Sequence, residues 1–493
     1  MTDNEKMDSR VLGGAGWMLL MKLGMRAISL VSILILARLL VPGDFGLVAM
    51  GTSIVALVEL LRAFSFDIVL IQRADAQPAH YNSVWTLNLL FGAVMAGALY
   101  GLSGPAAVFY NDVRLASVIE VLALSVLVSS FENVGVVNFR KDFQFRSEFG
   151  FMLGKKVIGF LITVPLAFAF RSYWALVAGI VGSSLGGVIL SYAMQSYRPA
   201  VNLSAVRDIL SFSIWMLFNN TLFFLRGRSI DFIVGRLVGA QGLGTLTLAH
   251  EISEVFTSEL MQPINRALLP GYAKLAGSLN SIRESYIDVV GAIAIFIVPA
   301  GIGLALVADD LVPLALGEQW LAAATPIKVL SIHGILVGLQ SVNGTVYLAL
   351  GRARLVTVLA AISVGIALPL LLVLTSAMGL VGACYGLLFA VLTMMPINVF
   401  VIRKEISLDL FRLAAVIARP IAGSIVMIAV CIWILNSLPA QTSLDHVLRL
   451  AATIAGGIVA YGASIPLMWL LAGKPAGVEH YIFSRLFGRP AAS

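Results

Sequence analysis

The stretch WMLLMKLGMRAISLVSILILARLLVPGDFG, residues 17–46, determines how the rest of the chain is interpreted. It is a long apolar segment that ends near Arg38 and is followed by a Pro-Gly pair. The same pattern returns 198 residues later, without a gap, as WMLFNNTLFFLRGRSIDFIVGRLVGAQGLG, residues 215–244. The alignment places Trp17 on Trp215, Arg38 on Arg236 and Gly46 on Gly244. This correspondence predicts a duplicated chain, with a function to be sought between two similar halves.

The composition is typical of an integral membrane protein. Of the 493 residues, 59% are hydrophobic and 12% are charged, and the mean hydropathy is +0.95. A soluble domain has about 25% charged residues. The apolar residues come in blocks of about 20, the length that crosses a bilayer as a helix. The sequence therefore predicts an all-α polytopic membrane protein.

About fourteen transmembrane helices are expected from these blocks. The first half contains six, at roughly 15–40, 45–63, 83–103, 115–137, 150–170 and 173–194. The second half repeats them at roughly 208–235, 243–262, 287–307, 325–349, 355–375 and 379–401. Two further spans, at about 413–436 and 447–472, have no counterpart in the repeat. The predicted domains are an N-terminal lobe (1–200), a C-terminal lobe (201–405) and a segment with two additional helices and a tail (406–493).

The positive charges of the loops predict the orientation. Lys and Arg concentrate in alternate loops and in both tails, whereas the opposite loops hold few cations and include Asp309 and Asp310. By the positive-inside rule, both termini are cytoplasmic. Each half then begins on the same side, which predicts a parallel repeat and two six-helix lobes around a central cavity. This geometry suits alternating access. The net charge of +7 is scattered through short loops, so it does not indicate nucleic-acid binding.

Soluble-enzyme signals are absent from the sequence. There is no P-loop, no GxSxG elbow and no cluster of His and Cys at metal-ligand spacing. We therefore predict no catalytic residues, no metal and no cofactor. Without an ATPase of its own, uphill transport would depend on an H⁺ or Na⁺ gradient, the membrane potential or a downstream sink. Cys384 and Cys431 lie inside predicted spans and are interpreted as packing residues.

Charges inside the spans are the candidate functional residues, because an intramembrane charge needs a cavity or a partner. In the first span Lys22, Arg26 and Ser29 share one helical face. Two like charges on one buried face require an anion or water, so this face predicts an anionic substrate such as a phosphate or an acidic sugar. The predicted substrate-binding residues are Lys22, Arg26, Asn219, Asn220, Arg226 and Arg228. The predicted coupling or cavity residues are Asp231, His250, Glu251, Glu254 and Glu59.

Each of these charges also has a structural interpretation. Arg228 and Asp231, three residues apart, could neutralise each other, and His250 could be a packing residue. Charges near predicted span ends are expected to reach the interface rather than to bind substrate, namely Glu120, Glu132 and Lys328. Lys155 and Lys156 are interpreted as topology anchors.

Three segments resemble the Wzx-like polysaccharide transporters of the multidrug/oligosaccharidyl-lipid/polysaccharide exporter superfamily. They are ARLLVPGDFGLVAM (37–50), NRALLPGYAKL (265–275) and LGEQWLAAATPIKVLSIHG (316–334). The resemblance implies a flippase that moves a polyprenyl-pyrophosphate-linked oligosaccharide across the bacterial inner membrane for exopolysaccharide, capsule or O-antigen assembly. It also implies membrane lipids, a polysaccharide polymerase and a chain-length regulator as partners. These motifs are structural, so they assign no substrate-binding residue.

Other functions stay open at this point. A lipid II flippase and a cation-coupled drug exporter belong to the same superfamily, although the cationic first and seventh spans disfavour the exporter. From a different class, a membrane-embedded polysaccharide polymerase would have many spans too. Such enzymes usually carry a large domain outside the membrane, and the loops here are short. We therefore expect a transporter and not an enzyme.

Overall fold

The fold consists of long helices, most of them apolar enough to cross a bilayer. A computed structural model describes residues 21, 24–60, 70–71, 73, 75–206, 214–255, 258–275, 277–438 and 442–471, and none of these residues is in a β-strand. Ten of the described helices are long and apolar enough to span a membrane, or eleven if one bent pair is a single span. The predicted all-α polytopic membrane fold is confirmed.

The first of two compact units comprises Met1–Thr245. Its first helix, α1, is described over residues 24–39. The helices that follow are α2 (Pro42–Glu59), α3 (Pro78–Tyr110), α4 (Arg114–Ser129), α5 (Val137–Lys141), α6 (Phe145–Phe170) and α7 (Trp174–Met194), and α8 (Ile214–Ser253) begins here.

The second unit comprises Leu246–Ser493 and receives the end of α8. Its helices are α9 (Ser258–Leu275), α10 (Leu279–Ala315), α11 (Ala324–Gln340), α12 (Asn343–Ala349), α13 (Ala353–Ile406), α14 (Leu410–Ser437) and α15 (Ser443–Leu471). The expected loop at 307–324 is wrong, because α10 continues to Ala315 and a 3₁₀ helix follows at Glu318–Ala323.

Two expected loops between spans are replaced by single glycines. In α8 the chain changes direction at Gly239 (φ 85°, ψ −177°), and in α13 it does so at Gly379 (φ 59°, ψ −135°). Only glycine adopts such angles at little cost. The described helix Ile214–Ser253 thus joins parts of the segments predicted at 208–235 and 243–262 across one break, and α13 joins those at 355–375 and 379–401. At 54 residues, α13 is long enough for two spans.

A broken helix held by a tyrosine recurs in both units. In the first unit α4 and the short helix after it meet at a bend of 70°. There the Tyr81 hydroxyl donates to Asn138 Oδ1 over 2.7 Å. In the second unit the Tyr286 hydroxyl donates to Asn343 Oδ1 over 2.8 Å, where α11 gives way to α12. Both pairs are 57 residues apart in sequence. The fourth span of each half, predicted as continuous at 115–137 and 325–349, is therefore interrupted near its end.

The segment between the two predicted lobes is fixed to the start of α3. Asn82 Oδ1 accepts hydrogen bonds from the Tyr197 hydroxyl (2.7 Å) and the Ala200 amide (2.9 Å). The Asn202 amide donates to Thr86 Oγ1 over 3.0 Å. These bonds satisfy backbone donors that have no helical partner. The connection is thus part of the first unit's fold up to residue 206, the last described residue before α8.

The two helices outside the predicted repeat attach to α10. At one end of α10 the Asp310 carboxylate, 3% exposed, accepts from Arg449 Nε over 2.9 Å and lies 2.8 Å from His446 Nδ1. At the other end Arg412 donates to both carboxylate oxygens of Glu284, over 2.7 and 2.8 Å. Both α14 and α15 are therefore tied to α10 by charged hydrogen bonds.

Replacement of Gly379 by alanine tests the break in α13. We expect Gly379→Ala to lower the free energy of unfolding by about 1–3 kcal/mol, because a Cβ is strained at this φ and ψ. Gly365→Ala in the same helix is the control, since a Cβ there meets no atom within 4 Å. Alanine in a helix interior is neutral or about 1 kcal/mol more stable. Thermal unfolding in detergent should show a loss of stability for Gly379→Ala and none for Gly365→Ala; equal losses would contradict the strain.

Neighbouring aspartates provide a second test. Asp310→Ala should destabilise the protein by about 3 kcal/mol, because it leaves Arg449 and His446 without their buried carboxylate. Asp309→Ala is the matched control: its partner Lys328 Nζ lies 2.6 Å away, but both side chains are exposed. An exposed pair contributes about 0–1 kcal/mol. Denaturation of the purified variants in detergent measures the difference, and equal losses would show that Asp310 is not an anchor.

Candidate functional site

The cation on α1 lies far from the described end of its helix. Arg26 precedes the end of α1 at residue 39 by 13 residues, or about 20 Å at 1.5 Å per residue. With an apolar core of about 30 Å, this position is well inside the membrane. The Arg26 side chain is half-buried. The Ser29 hydroxyl donates to the Met25 carbonyl of its own helix over 3.0 Å. Lys22, the other predicted cation on this face, lies outside the described residues.

A second deep cation lies on the first arm of α8. Arg228 precedes Gly239 by 11 residues, which corresponds to about 16 Å. One of its terminal nitrogens donates to Asp231 Oδ2 over 3.1 Å, as the structural interpretation of this pair expected. The Arg228 side chain nevertheless remains 47% exposed, whereas Asp231 is 14% exposed. A guanidinium has five N–H donors. In this pair the Arg228 guanidinium is therefore the more accessible group.

Three other predicted site residues, one cation and two amides, belong to α8. Asn219, Asn220 and Arg226 lie in the helix, but their side chains are outside the described part of the structure. Their assignment to the substrate stays a prediction.

The predicted coupling residues lie at surfaces of their own units. In the second unit His250 Nδ1 is 3.5 Å from Glu254 Oε2, and both side chains are partly exposed. Glu251 is exposed beside them, and in the first unit Glu59 is exposed at the end of α2. His250 is therefore not a buried packing residue. In the described ranges no group of three or more His, Cys, Asp or Glu residues could hold a metal ion.

Other intramembrane charges are satisfied within the first unit. Lys155 Nζ, on α6, lies 2.7 Å from Glu132 Oε2, and both side chains are about three-quarters covered. A Cβ on Gly187 would meet the Lys155 side chain, so glycine makes room for this lysine. Lys155 and Glu132 thus neutralise each other, an arrangement that their interpretation as separate interfacial charges missed. Cys384 and Cys431 are free and buried, in agreement with a packing role.

Sequence reasoning did not predict a close contact between α2 and α8 inside the first unit. A Cβ on Gly46 would overlap the carbonyl oxygen of Ala240 and lie 2.8 Å from the Gly244 nitrogen. A Cβ on Gly244 would overlap the carbonyl oxygen of Pro42 and lie 2.7 Å from the Gly46 nitrogen. The contact is reciprocal, and we name it the glycine crossing: residues 42–46 of α2 against residues 240–244 of α8. The aligned glycines were visible in the repeat, but repeat alignment alone does not reveal that two backbones touch.

A tyrosine at the end of α3 packs next to the glycine crossing. The Tyr110 hydroxyl lies 3.0 Å from Ser53 Oγ of α2, and both residues are buried. On α8, Gly235 leaves room for the Tyr110 ring, and Phe232 stacks on it with ring centroids 6.2 Å apart. The tyrosine thus joins α2 to α8 one turn or more from the glycines.

Charged groups also lie on and next to the end of α3. The Arg236 guanidinium lies 6.0 Å from the centroid of the Phe109 ring, a cation–π distance. In the turn after α3, Arg114 donates to both carboxylate oxygens of Asp112. These hydrogen bonds lower the pKa of Asp112, although partial burial opposes the effect. The turn is therefore charged and internally paired at ordinary pH.

Comparison with known proteins gives one family match and several relatives. Residues 35–325 match the family described as polysaccharide biosynthesis protein. The teichuronic acid biosynthesis protein TuaB of Bacillus subtilis is 26% identical over 351 residues, which cover 70% of this chain and 72% of that protein. The lipopolysaccharide biosynthesis protein WzxC of Escherichia coli is 24% identical over 406 residues, covering 80% and 82%.

Among solved structures, the lipid II flippase MurJ in its inward closed conformation has a similar fold. The TM-score is 0.71 at 11% sequence identity, and the alignment covers 91% of this chain and 98% of that one. At this level of identity the similarity concerns the arrangement of the helices and not their functional residues.

Proposed function

The chain belongs to the polysaccharide biosynthesis protein family, and we propose that it is a flippase for a polyprenyl-pyrophosphate-linked oligosaccharide. The substrate would be a repeat unit on its way to exopolysaccharide, capsule or O-antigen assembly. Support comes from the relatives, whose names refer to teichuronic acid and lipopolysaccharide biosynthesis. The fold shared with a lipid II flippase suits alternating access of a large headgroup across the membrane.

The observation that carries the proposal is the exposed cation at mid-membrane depth. Arg228 exposes about half of its side chain although it lies about 16 Å from the break at Gly239. Arginine at such a depth is stable only where it faces water, a partner or an anionic ligand. Its planar donors match the oxygens of a pyrophosphate. Arg26 lies at a comparable distance from the end of α1. The first helix of each predicted half therefore carries a cation at a similar position.

The other residues of the proposed site follow from their positions on the same helices. Lys22 and Arg226 would add cations, while Asn219 and Asn220 would donate to and accept from sugar hydroxyls. Asp231, His250, Glu251, Glu254 and Glu59 are the proposed coupling or cavity residues, through protonation or Na⁺ binding. Glu254 lies beside His250, with Oε2 3.5 Å from Nδ1.

Location and partners complete the proposal. The chain is a multi-pass membrane protein, and we place it in the bacterial inner membrane with both termini cytoplasmic. Membrane lipids and the polyprenyl tail would contact its outer helices, and a polysaccharide polymerase and a chain-length regulator would act on the delivered repeat unit. A lipid II flippase is the second candidate because of the shared fold. A polymerase fits less well, because the fold match is to a flippase.

Charge removal at Arg228 tests the anion site. We expect Arg228→Ala to reduce polysaccharide output about tenfold or more, since a hydrogen bond to a charged group contributes about 1.5–3 kcal/mol and each 1.4 kcal/mol is a factor of ten. Arg26→Ala, alone or with Lys22→Ala, should act in the same direction. Lys156→Ala is the matched control, because it removes an exposed cation from α6. Immunoblots of membrane fractions must show equal protein; unchanged output from the arginine variants would remove these residues from the site.

A deletion strain tests the function itself. Loss of the chain should leave the lipid-linked oligosaccharide in the inner leaflet, because its charged headgroup does not cross the apolar core unaided. Leaflet accessibility is measured in vesicles with a membrane-impermeant glycosidase or periodate, with and without the wild-type gene. Normal outward exposure combined with loss of polymer would instead indicate a role in polymerisation.

A further inference from the structure

The glycine crossing leaves no space for a solute between α2 and α8. Even one methyl group on either glycine would overlap a backbone carbonyl oxygen of the facing helix. Both glycines are buried, and Leu47, Met50 and Leu243 around them are fully buried. The contact is made inside the first unit, Met1–Thr245. In this conformation the route between α2 and α8 is therefore sealed at the level of the backbones.

The seal lies at one end of the helices that carry the deep cations. Residue 42 follows the end of α1 by three positions, and Ala240 directly follows the break at Gly239. Arg26 and Arg228 lie about 20 and 16 Å away along their helices. The charge distribution of the loops predicts that the crossing is at the non-cytoplasmic end. A headgroup bound at the cations would meet the crossing on its way outward.

We infer that the glycine crossing is the closed outer gate of the transport path, and that α2 and α8 separate there when the headgroup is released. This inference rests on the proposed function, and it deepens it by assigning the gate residues. Tyr110 is the second element of the gate, because its hydroxyl joins α2 through Ser53 and its ring covers Gly235 of α8. The gate opens when both contacts are lost.

Glycine suits such a gate for two physical reasons. Without side chains the two backbones approach closely enough to exclude even water, as at small-residue helix contacts in membranes. The contact also consists of Cα–H groups against carbonyl oxygens, which are weak individually. A seal made of bulky interdigitated side chains would bury more area and would be harder to separate. The reciprocal arrangement means that one separation of α2 from α8 breaks both glycine contacts together.

Alanine at either glycine should therefore favour the separated state. The Cβ would overlap a backbone oxygen, which cannot rotate away as a flexible side chain can. Each 1.4 kcal/mol by which a variant destabilises the closed state raises the ratio of the open to the closed conformation by a factor of ten. We expect Gly46→Ala and Gly244→Ala to have similar effects, and the double variant to be little worse than either, because each change abolishes the same contact.

Labelling of a buried cysteine measures the state of the gate without any substrate. The background is Cys384→Ala with Cys431→Ala. The reporter is Thr245→Cys, a buried position next to Gly244 whose hydroxyl donates to Gln241 of its own helix. A membrane-impermeant methanethiosulfonate reagent is added to the outside of spheroplasts. With native glycines the reporter should react slowly; with Gly46→Ala or Gly244→Ala it should react about tenfold faster or more. Gly43→Ala is the control, since a Cβ there meets no atom within 4 Å.

Two outcomes would overturn the gate. Glycine variants that are present in the membrane at wild-type amounts, but whose reporter stays unlabelled, would show that the crossing does not control access. Equal acceleration by the Gly43→Ala control would show that any change in α2 loosens the bundle. Size-exclusion profiles and thermal unfolding in detergent exclude misfolding as the cause of labelling, because a misfolded chain would lose the monodisperse peak.

The same variants separate failure of the gate from failure of the proposed function. If the deletion strain exposes lipid-linked oligosaccharide normally, the flippase assignment fails whatever the labelling shows. If the deletion strain accumulates it on the cytoplasmic side, the alanine variants should restore less than about a tenth of wild-type polysaccharide, since a transporter biased to one state turns over slowly. Full restoration by variants with labelled reporters would retain the flippase and reject the gate.

Discussion

Backbone hydrogen bonding in lipid is the constraint on which the structure depends. With no water in the apolar core, each amide must bond within its own helix, so the chain can turn only where a residue allows it without a long loop. Gly239 and Gly379 provide such turns, with φ angles that other residues rarely adopt. Short breaks therefore replace the loops that hydropathy alone suggests. Near both interrupted helices a tyrosine hydroxyl donates to an asparagine side chain, Tyr81 to Asn138 and Tyr286 to Asn343.

Electrostatics in the same medium sorts the intramembrane charges into two groups. Lys155 and Glu132 are paired and largely covered, so they contribute to the stability of one unit. Arg228 is also paired, yet its side chain stays half-exposed on a helix that is apolar enough to span the membrane. The second arrangement makes sense only if an aqueous or ligand-filled space reaches the guanidinium. Exposure rather than charge therefore distinguishes a candidate binding residue from a structural one.

The sequence predicts the fold class well because hydropathy and span length are direct consequences of the bilayer. It also places Arg228 beside Asp231 correctly, because a separation of three residues on a helix leaves little choice. It fails at the loop expected over 307–324, where α10 keeps its helical hydrogen bonds past the apolar core. It also misses the pairing of Lys155 with Glu132 and the anchoring of α15 through Asp310, since contacts between distant segments leave no local pattern.

Two glycines of α8, a few residues apart, have different roles. One allows the helix to change direction, and the other allows α8 to contact the backbone of α2. Gly239 is required for its φ angle, while a Cβ there would meet nothing within 4 Å. Gly244 is required for the opposite reason: it is helical, but a Cβ would overlap the carbonyl of Pro42. Five residues of helix are rigid over about 7 Å, so a change of backbone angles at Gly239 must move Gly244 relative to the first arm of α8. A break that absorbs such a change is where hinges are found. The residue that lets α8 turn is thus placed to separate, in one movement, the two backbones that close the path.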